Sequence, residues 1–361
     1  MVLRPDQQGR GTPRALWAVP VSALAGVARH TLDVAEHGIP GWELTFLCPP
    51  GDLPGELRAR GSRVVEAPFG PQHGMVASLR SLRRTLADVR PAVLHAHLSY
   101  ADLLAAAAKP RHGVRLVTTE HGIADDDLVY HHSSHRSAAM AAVHRQRFRR
   151  VDAAIAVSDA TARVMREKWQ VAAPIRVIPN GVDRPGTEPS SVRPGLRVLS
   201  LARLAPEKRL PELLRAFALV TRDHPDARLT VAGVGELEAT LRADARALGL
   251  ADRVDFPGFV DADKALADAD VVAMLSVWEN CSYTLLDAAV AGLGVVASAV
   301  GGNPEILPER CLVDPGRPEE VAAALVRQGL EPAHRPRLEH WPDVAQMCAH
   351  LAAAYDGSGP T

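Results

Sequence analysis

The sequence predicts an α/β protein of two Rossmann-like domains, each a doubly wound parallel sheet, facing a cleft. Three observations carry this. Short apolar runs alternate with amphipathic helical stretches along most of the chain, as in sheets built from strand–helix–strand units. The alternation breaks at residues 184–195, which hold three prolines and two glycines, and then restarts. A length of 361 residues suits two domains better than one.

In the first half, residues 15–19 read as the opening strand. A loop at 20–26 leads into a helix through residue 35, stopped by Gly38. Strands follow at 44–47 and 64–65, separated by the segment 53–60. Apolar spacing predicts an amphipathic helix at 79–89, ended before Pro91. Next come a strand at 92–96, a helix at 101–108, a strand at 114–118, and a helix at 137–149 behind a polar loop. A strand at 153–157, a helix at 160–169 and a strand at 175–178 complete this half. Behind the linker the order resumes with strand 196–201, helix 211–220, strand 227–232, helix 236–248 and strand 254–256. The segment 263–267 precedes a buried strand at 271–275, a helix at 283–291 that stops at Gly292, and a strand at 295–297. A late helix is expected at 321–326 and a last one at 342–355.

Composition narrows the class. Hydrophobic content of 47% with 23% charged residues is that of a soluble globular protein. A net charge of −1 offers no electrostatic footprint for nucleic acid. Cys48, Cys281, Cys311 and Cys348 lie far apart without a CxxC pair, which suits reduced thiols in a cytoplasmic protein. The first fourteen residues carry Arg4, Asp6, Arg10 and Arg14 with no apolar run and read as a loose tail, not a secretory signal. Residues 281–300 hold one charge, Asp287, but Gly292 and Gly294 break them, as in a buried helix followed by a buried strand.

The most informative stretch is 276–298. It reads as the end of a strand, a polar loop with Glu279 and Asn280, a helix from Tyr283, and a second strand. Such turns at the carboxyl ends of strands are where open α/β sheets bind ligands. Amides of Ser282, Tyr283 and Thr284 at the helix start favour an anion, most simply a phosphate. The carboxylates Glu279 and Asp287 suit hydroxyl groups instead. A sugar joined to a phosphate satisfies both. Ahead of this stretch, Arg203 and Lys208 follow the strand at 196–201. An arginine fork and a lysine point charge could grip a diphosphate, or stand as two solvated surface charges.

This pattern resembles the signature of the family 4 retaining glycosyltransferases: Glu, seven residues, Glu, then Ala-x-x-Ala-Gly-x-Pro-Val-Val-Ala. Here it stands as Glu279, seven residues, Asp287, then Ala288 through Ala297, with Asp287 for the second Glu and Gly294 for the usual Pro. Arg203-Leu204 and Lys208 resemble the family's Arg-Leu-x-x-x-Lys, and Gly301-Gly302-Asn303-Pro304-Glu305 its Gly-Gly-x-Pro-Glu turn. In the first half, Gly26 within Ala25–His30 resembles the Gly-Gly-x-x-Arg loop near the diphosphate, though a ligand-free turn would read alike. His121-Gly122 resembles the His-Gly beside the donor sugar. Asn180-Gly181-Val182-Asp183 matches the segment before the interdomain linker, and His340-Trp341-Pro342 the one that returns the last helix to the first domain.

The resemblance implies a two-domain fold (GT-B) with these boundaries: a tail at 1–14, an acceptor-binding domain at 15–183, a linker at 184–195, a nucleotide-sugar-binding domain at 196–338, and a closing helix at 339–361. It implies transfer of a sugar from a nucleoside diphosphate donor, UDP favoured over GDP, to a hydroxyl acceptor on a glycolipid, glycan or small metabolite. Asp287 would take the ribose hydroxyls, Arg203 and Lys208 the departing diphosphate, and Glu279 a donor-sugar hydroxyl, with amides from Asn280, Cys281, Ser282 and Tyr283. His121 would position the sugar, and Gly26 would approach the diphosphate. No cofactor and no metal are expected, since two cations and a helix terminus supply the positive charge. Some relatives dock on anionic membranes, so weak peripheral contact through Arg145, Arg147, Arg149 and Arg150 is one reading of those residues; a solvated helix face is the other.

Further features keep alternatives. Gly233-Val234-Gly235 follows a strand but lacks the third glycine of a dinucleotide fingerprint, with Glu238 in its place. His95, His97 and His121 end strands and form a conceivable metal cluster, set aside because no Cys or acid completes four ligands. Asp125-Asp126-Asp127 reads as a solvated or acceptor loop. A nucleotide-sugar epimerase and a binding protein with a decayed site are the competing functions. The first would form no acceptor adduct; the second would bind donor without turnover.

Overall fold

The computed structural model describes residues 11–110, 112–122, 142–184 and 194–358. They divide into two compact units, one from the chain up to Gly181 together with residues from Pro342 onward, the other from Val182 to Trp341.

The first unit is a sheet of seven parallel strands. In chain order its elements are β1 (Arg14–Ala18), α1 (Gly26–His37), β2 (Glu43–Cys48), α2 (Asp52–Ala59), β3 (Arg63–Glu66), α3 (Met75–Val89), β4 (Val93–His97), α4 (Leu98–Ala108), β5 (Arg115–Glu120), α5 (142–148), β6 (Ala153–Ala156), α6 (Asp159–Trp169) and β7 (Ile175–Val177). The strand order is β3-β2-β1-β4-β5-β6-β7, so the direction of winding switches between β1 and β4. Helix α3 begins four residues before the spacing predicts. Met75 and Val76 are exposed and the buried residue of its first turn is the polar Ser78, so that turn adds no apolar face for periodicity to detect. The helix expected from residue 137 is described from 142.

The second unit holds β8 (Arg197–Leu201), α7 (Leu210–Asp223), β9 (Arg228–Ala232), α8 (Glu238–Ala247), β10 (Val254–Gly258), α9 (Ala262–Ala267), β11 (Val271–Met274), α10 (Tyr283–Val290), β12 (Gly294–Ser298), α11 (Asn303–Ile306), β13 (Leu312–Val313) and α12 (Pro318–Leu330). Its six strands are parallel in the order β10-β9-β8-β11-β12-β13, switching between β8 and β11. Four residues in α11 and two in β13 are too few to leave a periodic signal. Strands β8, β9, β11 and β12 are lined by Val198, Leu229, Val231, Val271 and Val296, which pack with Leu213, Leu214 and Phe217 of α7.

Gly294, where the family pattern has proline, opens β12. Its amide donates to the Asp270 carbonyl at 2.9 Å, a bond that proline cannot make. A Cβ there would also lie 2.5 Å from the Gln328 carbonyl oxygen of α12.

The last helix, α13 (Val344–Asp356), belongs to the first unit. A capping box of Asp343 and Gln346 starts it. Met347, Leu351 and Tyr355 then join the core around Trp17, Phe46 and Ile155. Residues 179–181 fit against its first turn: the Gly181 amide donates to Met347 Sδ at 3.2 Å, and a Cβ on Gly181 would lie 2.5 Å from the Asp343 carbonyl. Among the described residues no helix is long and apolar enough to cross a membrane. All four cysteines are free thiols.

Candidate active site

In the second unit, four neighbouring strands end in loops tied to one another by backbone bonds. Leu204 N–H donates to the Val234 carbonyl at 3.1 Å, Val277 N–H to the Glu207 carbonyl at 2.8 Å, and Gly302 N–H to the Glu279 carbonyl at 3.0 Å. Glycines permit this closeness. A Cβ on Gly233 would meet the Ala202 carbonyl oxygen at 1.9 Å, and one on Gly301 the Glu279 carbonyl oxygen at 1.8 Å; both hold positive φ. The glycines of the Gly233–Gly235 loop are thereby accounted for as packing against the loop that carries Arg203, in keeping with the missing fingerprint glycine.

These loops bring Lys208 and Glu279 into an ion pair, Nζ to Oε1 at 2.5 Å, with both side chains mostly shielded. The two residues are far apart in sequence and come from the ends of β8 and β11. Arg203 pairs instead with Glu207 at 2.5 Å and stays 69% exposed. Trp278 Nε1 donates to Asn280 Oδ1 at 3.3 Å, fixing the bend after Glu279. Ser282 caps α10, its hydroxyl accepting from the Leu285 amide at 3.4 Å. Cys281, Ser282, Tyr283 and Asp287 are partly exposed at the start and along one side of α10. These loops and the start of α10 thus offer the Lys208 ammonium, the Arg203 guanidinium, the Glu207, Glu279 and Asp287 carboxylates and the positive end of a helix.

Gly26 and His121 lie in the first unit, the other predicted residues in the second. Gly26 is exposed at the first position of α1, with open space where a Cβ would stand. His121, partly buried, follows β5. Its Nε2 lies 3.0 Å from His97 Nδ1. Leu98, directly after His97, holds φ +68, a costly conformation for leucine at this turn.

The imidazoles gather more closely than the sequence suggests, and His30 joins them. It sits on the buried face of α1 with Val34, one helical turn on. Helical phase was the available signal for this. Its ring stacks on Trp17 and lies 4.9 Å from that of His121 and 5.8 Å from that of His97, centroid to centroid. His95 packs 4.3 Å from the His97 ring, centroid to centroid, but both its nitrogens are engaged, Nδ1 with Tyr355 Oη and Nε2 with Thr119 Oγ1, each at 2.7 Å. Burial pulls His30 down to about 4, with Asn180 opposing slightly. Burial and the neighbouring imidazoles hold His95, His97 and His121 well below the usual range. All four are neutral at pH 7 and can donate or accept, but carry no charge.

Arg147 departs from the solvated helix face read at residues 145–150. Arg145, Arg149 and Arg150 are exposed, but Arg147 is buried. It donates to both Asp102 and Glu120 and lies over the rings of Phe148 and Trp169. Burial pushes the Asp102 carboxyl well above the usual range; Arg147 opposes the rise and Glu120 adds to it. Since Glu120 precedes His121, this network anchors the turn that presents the histidine. Asp125-Asp126-Asp127 and the rest of the loop 124–137 lie outside the described residues.

Comparison with known proteins agrees with this architecture. The model for Glycosyltransferase Family 4 matches residues 24–184, and that for Glycosyl transferases group 1 matches residues 195–328. The chain is 27% identical over 303 residues to a phosphatidylinositol N-acetylglucosaminyltransferase chain of Arabidopsis thaliana, covering 78% of this chain and 66% of that relative, just under two thirds of its length. Among solved structures, the Anabaena Alr3699/HepE protein in complex with UDP and glucose aligns with a TM-score of 0.72 at 20% identity, covering 94% of this chain and 95% of that one. The sucrose-phosphate synthase of Thermosynechococcus elongatus aligns with a TM-score of 0.77 at 19% identity, covering 96% and 99%. The two matched models follow one another along the two units, and the chain belongs to the family 4 type of glycosyltransferases.

Proposed function

We propose that the chain transfers a sugar from a nucleoside diphosphate-sugar, UDP favoured over GDP, to a hydroxyl acceptor with retained anomeric configuration. The observation that carries this reading is the Lys208–Glu279 pair, set between loops at the carboxyl edge of a parallel sheet and beside the start of α10. The UDP and glucose held by the Anabaena protein of like fold support the donor class.

Lys208 has three donors, so it can keep Glu279 and still reach a phosphate oxygen. As the bond from the anomeric carbon to the diphosphate breaks, the electron pair leaves with the diphosphate, where Lys208 and Arg203 face the new charge. The acceptor oxygen bonds to the anomeric carbon, and its proton passes to the leaving group. Glu279 accepts a donor-sugar hydroxyl, and Asp287 the ribose hydroxyls. Asp287 is one methylene shorter than the glutamate it replaces but keeps the same acceptors. His121, neutral, donates to or accepts from the sugar. Positive charge at the diphosphate comes from side chains, so donor binding should survive a chelator.

Calorimetry of UDP, GDP and ADP in the presence of EDTA tests the donor site. One nucleotide should bind, and Lys208→Ala should weaken it by about tenfold to a hundredfold, the worth of a charge-assisted contact. No binding to any nucleotide would overturn the reading. An acceptor product with inverted anomeric configuration would overturn retention alone.

A further inference from the structure

We propose that His30, His97 and His121 form a binding site for one divalent transition ion of the zinc class. The three residues come from α1, the end of β4 and the residue after β5. One ring nitrogen from each lies within 4.8 Å of one from each of the others.

The ring spacing fits a shared ion. A metal bound at 2.0–2.1 Å from a ring nitrogen lies about 3.2 Å from that ring's centroid, so tetrahedral ligands place centroids about 5.2 Å apart. The observed separations are 4.9, 5.3 and 5.8 Å. His97 Nδ1 and His121 Nε2 already stand 3.0 Å apart, against about 3.3 Å for two nitrogens on one tetrahedral ion. Closing the set on one ion takes a movement of the rings, since the three nitrogens lie within 4.8 Å of one another against about 3.3 Å on a tetrahedral ion.

Hydrogen bonding separates these histidines from their neighbour. His95 is satisfied at both nitrogens. By contrast, neither nitrogen of buried His30 has a well-formed hydrogen bond, and His97 Nε2 has none either. A neutral imidazole carries one donor and one acceptor, and His30 has only the Asn180 side chain to offset its burial, so at least one nitrogen lacks a well-formed partner. A metal ion claims one of those lone pairs. The neutral state at pH 7 is the ligating form, so no proton need leave. Three imidazoles with a fourth position for water are a common donor set for zinc, and imidazole nitrogen also suits nickel and copper. The sequence-level trio of His95, His97 and His121 therefore changes one member. The site shares His121 with the transfer reaction proposed above, whereas His30 and His97 have no part in that reading and its expected cations, Lys208 and Arg203, lie in the second unit.

Chelator-treated full-length protein should bind one equivalent of Zn2+ by calorimetry, and Co2+ should give the intense visible bands of a tetrahedral site that Zn2+ abolishes. His30→Gln and His97→Gln should each weaken binding by at least about tenfold, while His95→Gln leaves it unchanged. Absence of a saturable site, or a weak octahedral Co2+ spectrum indifferent to both substitutions, would overturn the proposal. If a substituted chain fails to fold, the Co2+ spectrum of the unaltered protein decides. UDP, GDP and ADP titrations on the same preparations report the donor site separately, so either reading can fail alone.

Discussion

Gly294 shows how one residue can depart from a family pattern and still fit its place. Its amide completes a ladder bond to Asp270, and its missing side chain lets α12 approach β12. Restoring the family's proline as Gly294→Pro should lower stability by about 1–3 kcal/mol, the cost of leaving the Asp270 carbonyl unmet, read as a fall in the urea midpoint at constant slope. An unchanged midpoint would show that neither the bond nor the close approach matters. The same scale explains why the Lys208–Glu279 pairing was half legible. Both residue types stood in recognisable motifs, but their contact depends on two loops joined by the bond from the Val277 amide to the Glu207 carbonyl. Nothing local to either motif encodes that meeting.

At the scale of elements, most strands and helices were visible because each buries a periodic apolar face. Those that were not visible have particular reasons. Met75 and Val76 extend α3 into solvent, α11 and β13 are too short for a period, and Arg147 turns inward against charges from α4 and β5. The His30 contacts escaped because they join a helix to two strands that follow much later. Helix α13 was expected, and its anchor is polar as well as apolar. Tyr355 Oη accepts from Trp17 Nε1 at 2.8 Å and bonds His95 Nδ1 at 2.7 Å. Tyr355→Phe removes that shared partner and leaves two buried groups unmet, which should cost about 1–3 kcal/mol in chemical denaturation. A loss below about 0.3 kcal/mol would mean that the three groups do not form the contact described.

For the whole molecule, the buried imidazoles tie stability to pH. An unfolded histidine takes up a proton near 6.5, whereas folded His30 does so only at about 4. Between those values the unfolded chain binds more protons, so this stability is full above 6.5 and drains away as pH falls. His95, His97 and His121 act in the same direction. Asp102, raised in the fold, has the opposite sign: it favours the fold at low pH and disfavours it as pH rises. Four histidines outweigh one carboxyl between pH 7 and 5, so the urea midpoint in chelator should fall steadily across that range. His30→Gln should flatten the slope by about 1 kcal/mol per pH unit on average, and by no more than about 1.4; a flat profile in the unaltered protein would contradict this account. One more consequence lies in the order of synthesis. Because α13 completes the core around Trp17, the second unit is in effect an insertion within the first. On a ribosome, the inserted unit has all its strands before the earlier one has its last helix. The half that begins first must wait with part of its core open, and it finishes last.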